Sequence, residues 1–147
     1  MNRGGRFRFS LETVLKVRGL KEEQAKLEVV LAEKELAHSR RALEQTRDLR
    51  RRLVADLDAG VKEWTPQDFS IFKSYLDHLK STVDDLLKRV EEQEAGVQQK
   101  KEVLKQRYQE RRLLERLRER HYAQFRREMR KLMENETEAI VLGRWKS

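Results

Sequence analysis

The chain has 147 residues, of which 41% are charged and 37% hydrophobic, and its formal net charge is +8. Six glycines and one proline give too few turns for a sheet-rich domain, and no apolar run approaches the ~18 residues that a membrane-spanning helix needs. The first residues lack the apolar segment of a secretory signal, and without cysteine we expect neither disulfides nor thiolate metal sites. The sequence therefore predicts one cytoplasmic, charge-rich and mostly helical domain over residues 1–147.

Pro66 divides the chain into two predicted helices. Thr65 can cap a helix that begins at Pro66, with Asp68 as the acid of a capping box. Alternating steps of four and three from Leu11 to Trp64 define a heptad seam in which ten of sixteen positions are apolar. The second segment opens with six consecutive apolar seam positions: Phe72, Leu76, Leu79, Val83, Leu86 and Val90.

These patterns predict an all-α fold, in which two long helices form an antiparallel coiled-coil hairpin with a C-terminal helical overhang. The helices are expected over about residues 9–60 and 66–142, joined by a turn at about residues 60–65. Beyond Leu104 the apolar spacing slips, which indicates a stutter, and Gly143 is expected to cap the second helix. Because Leu11 should lie opposite about residue 119, residues from about 120 to 142 have no predicted partner within the chain, over roughly 35 Å.

The positive charge is concentrated in the second helix. Between Lys100 and Lys131 there are 13 basic and five acidic residues, a net charge of +8 that equals the charge of the whole chain. Acidic residues interleave with the basic ones throughout, which favours a solvated or protein-binding surface. Nucleic acid and a membrane surface are the other partners that such a stretch could bind.

Four aromatic residues surround the predicted hairpin tip. Trp64 and Phe72 occupy seam positions and are expected in the core, whereas Phe69 and Tyr75 flank the seam. A two-helix coiled coil cannot cover both flanks, and exposed aromatic side chains favour a docking site. Should the partner surface lie elsewhere, the facing helix offers Arg47, Leu49 and Arg50.

Nothing in the sequence predicts catalysis or a cofactor. No phosphate-binding glycine loop occurs, and Glu35 with His38 is a Glu-x-x-His pair that lacks the second copy and the further carboxylates of a di-iron bundle. Two helices also enclose no pocket in which a catalytic triad could work. We therefore predict a non-enzyme with no catalytic residue, no cofactor, no metal and no small-molecule substrate.

Both ends of the chain resemble one protein family. The segment from Phe7 to Arg18, FRFSLETVLKVR, is similar to the opening of the flagellar export protein FliJ family, with an aromatic pair followed by a leucine-rich turn that ends in arginine. The stretch from Leu113 to Arg120 looks like the end of that family, and its similarity continues through Tyr122, Phe125–Glu128 and Glu136–Ile140.

The resemblance implies a component of the flagellar type III export apparatus, located in the cytoplasm and peripherally associated with the cytoplasmic face of the membrane at the flagellar base. It implies a coiled coil similar to the central stalk of rotary ATP synthases. The paired helix termini would enter the ring of the export ATPase and promote its assembly, and the tip would reach the membrane export gate protein FlhA. Some members of the family also handle export chaperones.

Two sets of contact residues follow from these implied roles. At the tip, contact with the gate is expected from Phe69, Tyr75, Leu49 and Arg50. At the cationic end, contact with an acidic lumen of the ATPase ring is expected from Arg111, Arg112, Arg116, Arg118, Arg120, Arg126 and Arg127. The isolated chain is expected to be a monomer that binds no nucleic acid.

Two other classes of protein remain open from the sequence. One is a generic coiled-coil adaptor or homodimer, in which the overhang pairs with its own copy. The other is a basic helical nucleic-acid-binding protein. Sedimentation distinguishes the first from a monomeric stalk, and a salt titration of binding identifies the second through its steep log–log slope.

Overall fold

In the computed structural model, which describes residues 5–60 and 64–146, two long helices account for most of the chain. Helix α1 spans Glu12–Gly60 and helix α2 spans Pro66–Lys146. The two helices pack against each other, and the described residues include no strand, which confirms the predicted all-α helical hairpin. Of the predicted turn, residues 61–63 lie outside the described part of the chain.

The start of α2 follows the predicted capping box. The backbone N–H of Asp68 donates to Thr65 Oγ1 at 3.1 Å, and Thr65 N–H donates to Asp68 Oδ2 at 3.3 Å. These two bonds satisfy backbone donors that the first helical turn leaves without partners. Pro66 needs no such bond, because it has no N–H.

The other helix ends differ from the expected positions. Helix α1 begins at Glu12 instead of near residue 9, because Phe9 belongs to a turn in which its carbonyl accepts from the Glu12 N–H at 3.1 Å. Helix α2 continues to Lys146 and does not end at Gly143. Gly143 lacks the left-handed conformation that closes a helix at a glycine cap, so the backbone hydrogen bonds continue past it.

The chain divides into two compact units. The hairpin unit comprises residues 25–103, and the terminal unit comprises the residues up to Gln24 together with those from Leu104 onward. In the hairpin unit, the core cluster consists of Leu36 and Leu43 from α1 with Val90 and Val97 from α2. That the whole chain acts as one domain stays a prediction.

The predicted α1 seam is the buried face of the helix. None of its sixteen positions from Leu11 to Trp64 is exposed. In the hairpin unit, ion pairs flank this seam at Arg40–Glu94, Lys100–Glu28 and Lys101–Glu33, with N···O distances of 2.9, 3.4 and 3.5 Å. Their side chains are largely exposed, so they contribute little stability, but all three join α1 to α2 in the antiparallel register.

The predicted stutter beyond Leu104 is wrong. The buried face of α2 continues in steps of three, four and three at Arg107, Arg111 and Leu114, without a change of phase. The apolar pattern appears to slip in the sequence because arginines occupy two of these positions. Arg111 can do so because it meets a carboxylate, Glu22, at the facing seam position of α1.

The predicted overhang is shorter than expected. The N-terminal arm, residues 5–11, packs on α2 in the terminal unit and provides a partner for residues up to Phe125. Every described side chain from Arg130 to Trp145 is exposed. At a rise of 1.5 Å per residue this uncovered segment measures about 24 Å.

Candidate functional site

Two phenylalanines attach the N-terminal arm to α2. Phe9 is 6% exposed, and its ring meets His121 edge-on at 5.4 Å between centroids. Phe7 contacts Tyr122 edge-on at 5.2 Å and Phe125 at 5.6 Å. Edge-to-face pairs at these distances add to the stabilisation that apolar burial provides. The arm is therefore a packed element of the terminal unit.

Arg118 reinforces this attachment. Its guanidinium lies 5.7 Å from the centroid of the Phe7 ring, and its Nε donates to Glu12 Oε2 at 2.9 Å. A cation over an aromatic face and a charge-assisted hydrogen bond both hold the side chain in place. Of the arginines predicted to contact a partner, Arg118 is thus one that stabilises the arm.

An ionic network of the terminal unit is built around one buried carboxylate, that of Glu22. Arg111 Nε donates to the carboxylate of Glu22, which is 5% exposed, while Arg111 Nη1 donates to Glu115 Oε2 at 2.7 Å. Arg112 Nη1 reaches the same Glu115 oxygen at 3.1 Å and Glu119 Oε1 at 3.5 Å. The hydrogen bond from Arg112 lowers the pKa of Glu115, and the bond to Glu22 raises the pKa of Arg111. Carboxylates therefore neutralise both arginines locally.

The remaining arginines of the predicted cationic set face solvent. Within residues 5–60 and 64–146 they form no ion pair, and all four are exposed: Arg116, Arg120, Arg126 and Arg127. Their charges are therefore available to an acidic partner. The structure separates seven similar arginines into three with structural contacts and four without, a distinction that the sequence does not carry.

A groove of about 650 Å³ runs between the arm and α2, and we call it the terminal groove. Apolar side chains and cations share its lining, which includes Phe7, Phe125, Met129, Leu132, Arg8 and Lys131. The sequence analysis missed this groove. The signal that could have revealed it is the alternation of Phe7 and Phe9, which places two aromatic side chains on one side of an extended segment.

At the hairpin tip, Trp64 and Phe72 pack edge-on with their ring centroids 4.7 Å apart. The sequence predicts both in the core, whereas in the structure both are only half-buried. Phe69 and Tyr75 are exposed. A groove of about 520 Å³ lies here, and we call it the tip groove. Its lining includes Tyr75 and Ile71. Ile71 is 64% exposed, and the sequence analysis missed it. Their spacing of four residues puts Ile71 and Tyr75 on one helix face.

The other residues predicted at the tip have different environments. Phe69 does not line the tip groove. On α1, Leu49 is exposed, whereas Arg50 is half-buried at a seam position and its Nε is buried with no hydrogen-bond partner among the described residues. Leu49 is therefore better placed than Arg50 to contact a partner.

Neither a metal centre nor a membrane span is found in the part of the chain that the structure describes. No three of its His, Asp and Glu side chains are grouped to hold a metal ion, and neither helix has a window apolar enough to cross a bilayer. The surfaces that remain for function are the cationic side of the terminal unit, the terminal groove and the tip groove.

Two long paired helices with exposed aromatic and cationic side chains define an all-α helical hairpin protein. A scan against protein-family models matches residues 7–137 to the family described as the flagellar FliJ protein. The chain therefore belongs to the FliJ family and is a component of the flagellar protein export apparatus, with a part in flagellum biogenesis. No curated protein and no solved structure matched the chain in the corresponding searches.

Proposed function

We propose that this chain links two components of the export apparatus. The cationic side of the terminal unit binds the ring of the export ATPase and promotes its assembly and activity, and the hairpin tip binds the membrane gate protein FlhA. The isolated chain is a monomer, it works at the cytoplasmic face of the membrane, and export chaperones are a further class of partner.

One observation carries the ATPase part of this proposal. Arg116, Arg120, Arg126 and Arg127 are exposed cations that no carboxylate in the described chain neutralises. Arg116 precedes the stretch of α2 that the arm contacts, and Arg120 lies within that stretch. Arg126 and Arg127 follow it, close to the helix segment whose side chains are all exposed. A lone helix in water is marginal, so a partner that covers this segment and supplies negative charge would stabilise it.

The ATPase proposal is tested by reversing three of these charges, Arg116, Arg120 and Arg126, to glutamate. Stimulation of ATP hydrolysis by the purified export ATPase should fall, mainly through a slower association rate, and the remaining stimulation should depend less on salt. The matched control reverses three exposed cations of the hairpin unit that form no ion pair within the described residues: Arg41, Lys80 and Lys88. If both triple variants stimulate equally well at low salt, the terminal unit does not mediate the contact.

The gate proposal is tested at the tip. Phe69→Ala combined with Tyr75→Ala should leave the thermal melt nearly unchanged, because both side chains are exposed, and should weaken binding to FlhA. Leu27→Ala, which also truncates an exposed apolar side chain of the hairpin unit, serves as the control for both measurements. A double variant that unfolds along with losing FlhA binding would mean that the aromatics are structural. A double variant that melts and binds normally would move the contact toward Leu49.

A further inference from the structure

The terminal groove has the features of a site for a helix. We propose that it binds a helical partner segment with an aliphatic stripe flanked by carboxylates. This inference rests on the proposed function in one respect: both assign partner binding to the terminal unit, and the groove would add an apolar contact to its cationic side. It goes beyond that proposal by naming a second surface and the chemistry that fits it.

The walls of the groove are already in place without a partner. On one side, the arm is held by Phe9, which is buried against His121, and by the contacts of Phe7. On the other side is the continuous helix α2. A partner would therefore not have to order the arm when it binds, and the entropic cost of association is correspondingly low.

The floor of the groove matches the surface of an α-helix. Its apolar residues on α2 are Phe125, Met129 and Leu132, which follow one another at intervals of four and three. This spacing forms a ridge onto which the corresponding stripe of a second helix can pack. The lining residues of α2 extend from His121 to Asn135, so the groove accommodates about 21 Å, or roughly four turns, of a partner helix.

The charges around the groove select an acidic partner. Arg8 and Lys131 line it, Arg126 and Arg127 lie on the same stretch of α2, and among the described lining residues Glu128 is the single carboxylate. Carboxylates beside the aliphatic stripe would meet these cations at the rim, where they guide association and orientation. In the exposed end of α2 the acidic residues stop at Glu138. Its most apolar part, residues 139–146, contains none, so that part of a second copy fits less well.

Neighbouring residues of α2 provide matched variants. Leu132 lines the groove and is 45% exposed, whereas Met133, 66% exposed, lies outside the lining. Similarly, Lys131 lines the groove and Arg130 does not. We therefore compare Leu132→Glu with Met133→Glu, and Lys131→Glu with Arg130→Glu. Because these side chains are exposed, each variant should keep the circular dichroism and melting temperature of the unchanged chain.

The probe is a fluorescein-labelled synthetic peptide of 16 residues, with leucines spaced to form one helical stripe and glutamates on both flanks. Fluorescence anisotropy with the full chain should show saturable binding. Leu132→Glu should weaken it about tenfold or more, while Met133→Glu should stay within about twofold. Lys131→Glu should weaken binding more than Arg130→Glu and should reduce its salt dependence. A second peptide with lysines in place of the glutamates should not bind.

Several results would overturn the inference: no saturable binding of the acidic peptide, equal binding of the lysine peptide, or equal losses for Leu132→Glu and Met133→Glu. Concentration-dependent self-association that only Leu132→Glu abolishes would assign the groove to a second copy of the chain. The ATPase is assayed separately with the same variants. If it binds the unchanged chain while the acidic peptide does not, the groove inference fails and the proposed function stands. If the peptide binds and the ATPase does not, the groove inference stands and the proposed contact with the ATPase fails.

Discussion

Replacing Arg111 with methionine tests whether its buried ion pair with Glu22 stabilises the terminal unit. Methionine keeps the apolar stem of arginine and removes the group that donates to the Glu22 carboxylate. Since Glu22 is almost fully buried, its charge would then remain in a poorly solvated site without this guanidinium. We expect a clear loss in the free energy of unfolding, with helicity retained.

The structure sets the size of this loss. Removing one partner of a buried ion pair costs about 3–5 kcal/mol, because the other charge stays out of water. Here the Arg111 side chain is 24% exposed, so solvent reaches one side of the pair, and we expect about 2–3 kcal/mol. The exposed pair Arg40–Glu94 is the matched control, and Arg40→Met should change the free energy of unfolding by less than about 0.5 kcal/mol.

Urea unfolding followed by circular dichroism measures both losses. The single variants Glu22→Leu and Arg111→Leu and the double variant that combines them form a double-mutant cycle. The double variant should recover most of the stability, because a packed apolar pair can replace a buried ion pair. Equal losses for Arg111→Met and Arg40→Met would refute the claim that burial makes the Glu22 pair different. A double variant whose loss equals the sum of the two single losses would show that the residues do not interact.

Three further outcomes follow from the terminal unit. Phe9→Ala should speed hydrogen exchange in residues 5–11, because the arm loses its buried ring, whereas Leu113→Ala, at an exposed position of α2, should leave that exchange unchanged. The hydrogen bond from Arg112 lowers the pKa of Glu115. The ionised Glu115 carboxylate therefore contributes its full stabilisation above pH 4.5, the ordinary pKa of glutamate, and this stabilisation is lost as the pH falls below that value. Glu115→Gln should flatten the curve of unfolding free energy against pH in this acidic range. Removing the residues after Glu138 should leave the melting temperature unchanged, because the described side chains there are exposed.

Much of the fold could be predicted because the sequence encodes it locally. The heptad spacing determines which face of α1 is buried, and none of the sixteen seam positions predicted from Leu11 to Trp64 is exposed. The capping box needs only Thr65 and Asp68 in the right order, and both of its hydrogen bonds are present. The two exposed aromatics at the tip also follow from spacing, since Phe69 and Tyr75 lie three residues to either side of a seam position.

The rest depends on contacts between segments that are distant in the sequence. Arg111 looks like a solvent-exposed charge until Glu22, 89 residues away, is placed opposite it. For the same reason the sequence predicts too long an overhang, because nothing near His121 indicates that Phe9 will pack against it. Residue type alone therefore assigns Arg111, Arg112 and Arg118 to a partner surface, whereas in the structure these three arginines make contacts within the terminal unit itself.

We expect the Glu22–Arg111 ion pair to affect the shape of the terminal groove as well, because the pair restricts the register of α1 against α2. A slip of one heptad toward Leu104, about 10 Å along the helix axis, would move Glu22 from Arg111 to an apolar side chain and leave its charge buried without this guanidinium. The apolar variant Glu22→Leu with Arg111→Leu removes this penalty, so we expect it to be stable yet less restricted in register. Because the chain has no cysteine, spin labels at Ser10→Cys and Arg120→Cys can report the distance between the arm and α2.

The unchanged terminal unit should give one narrow distance distribution between these labels, and the apolar variant a broader one that includes a longer distance. Binding of the acidic peptide should weaken in the same variant, although neither substituted residue lines the groove. An unchanged distance distribution would show that the arm fixes the register by itself, through Phe9 and His121. The ion pair would then contribute to the stability of the terminal unit but not to the register of its helices. The shape of the groove would depend on the aromatic contacts of the arm.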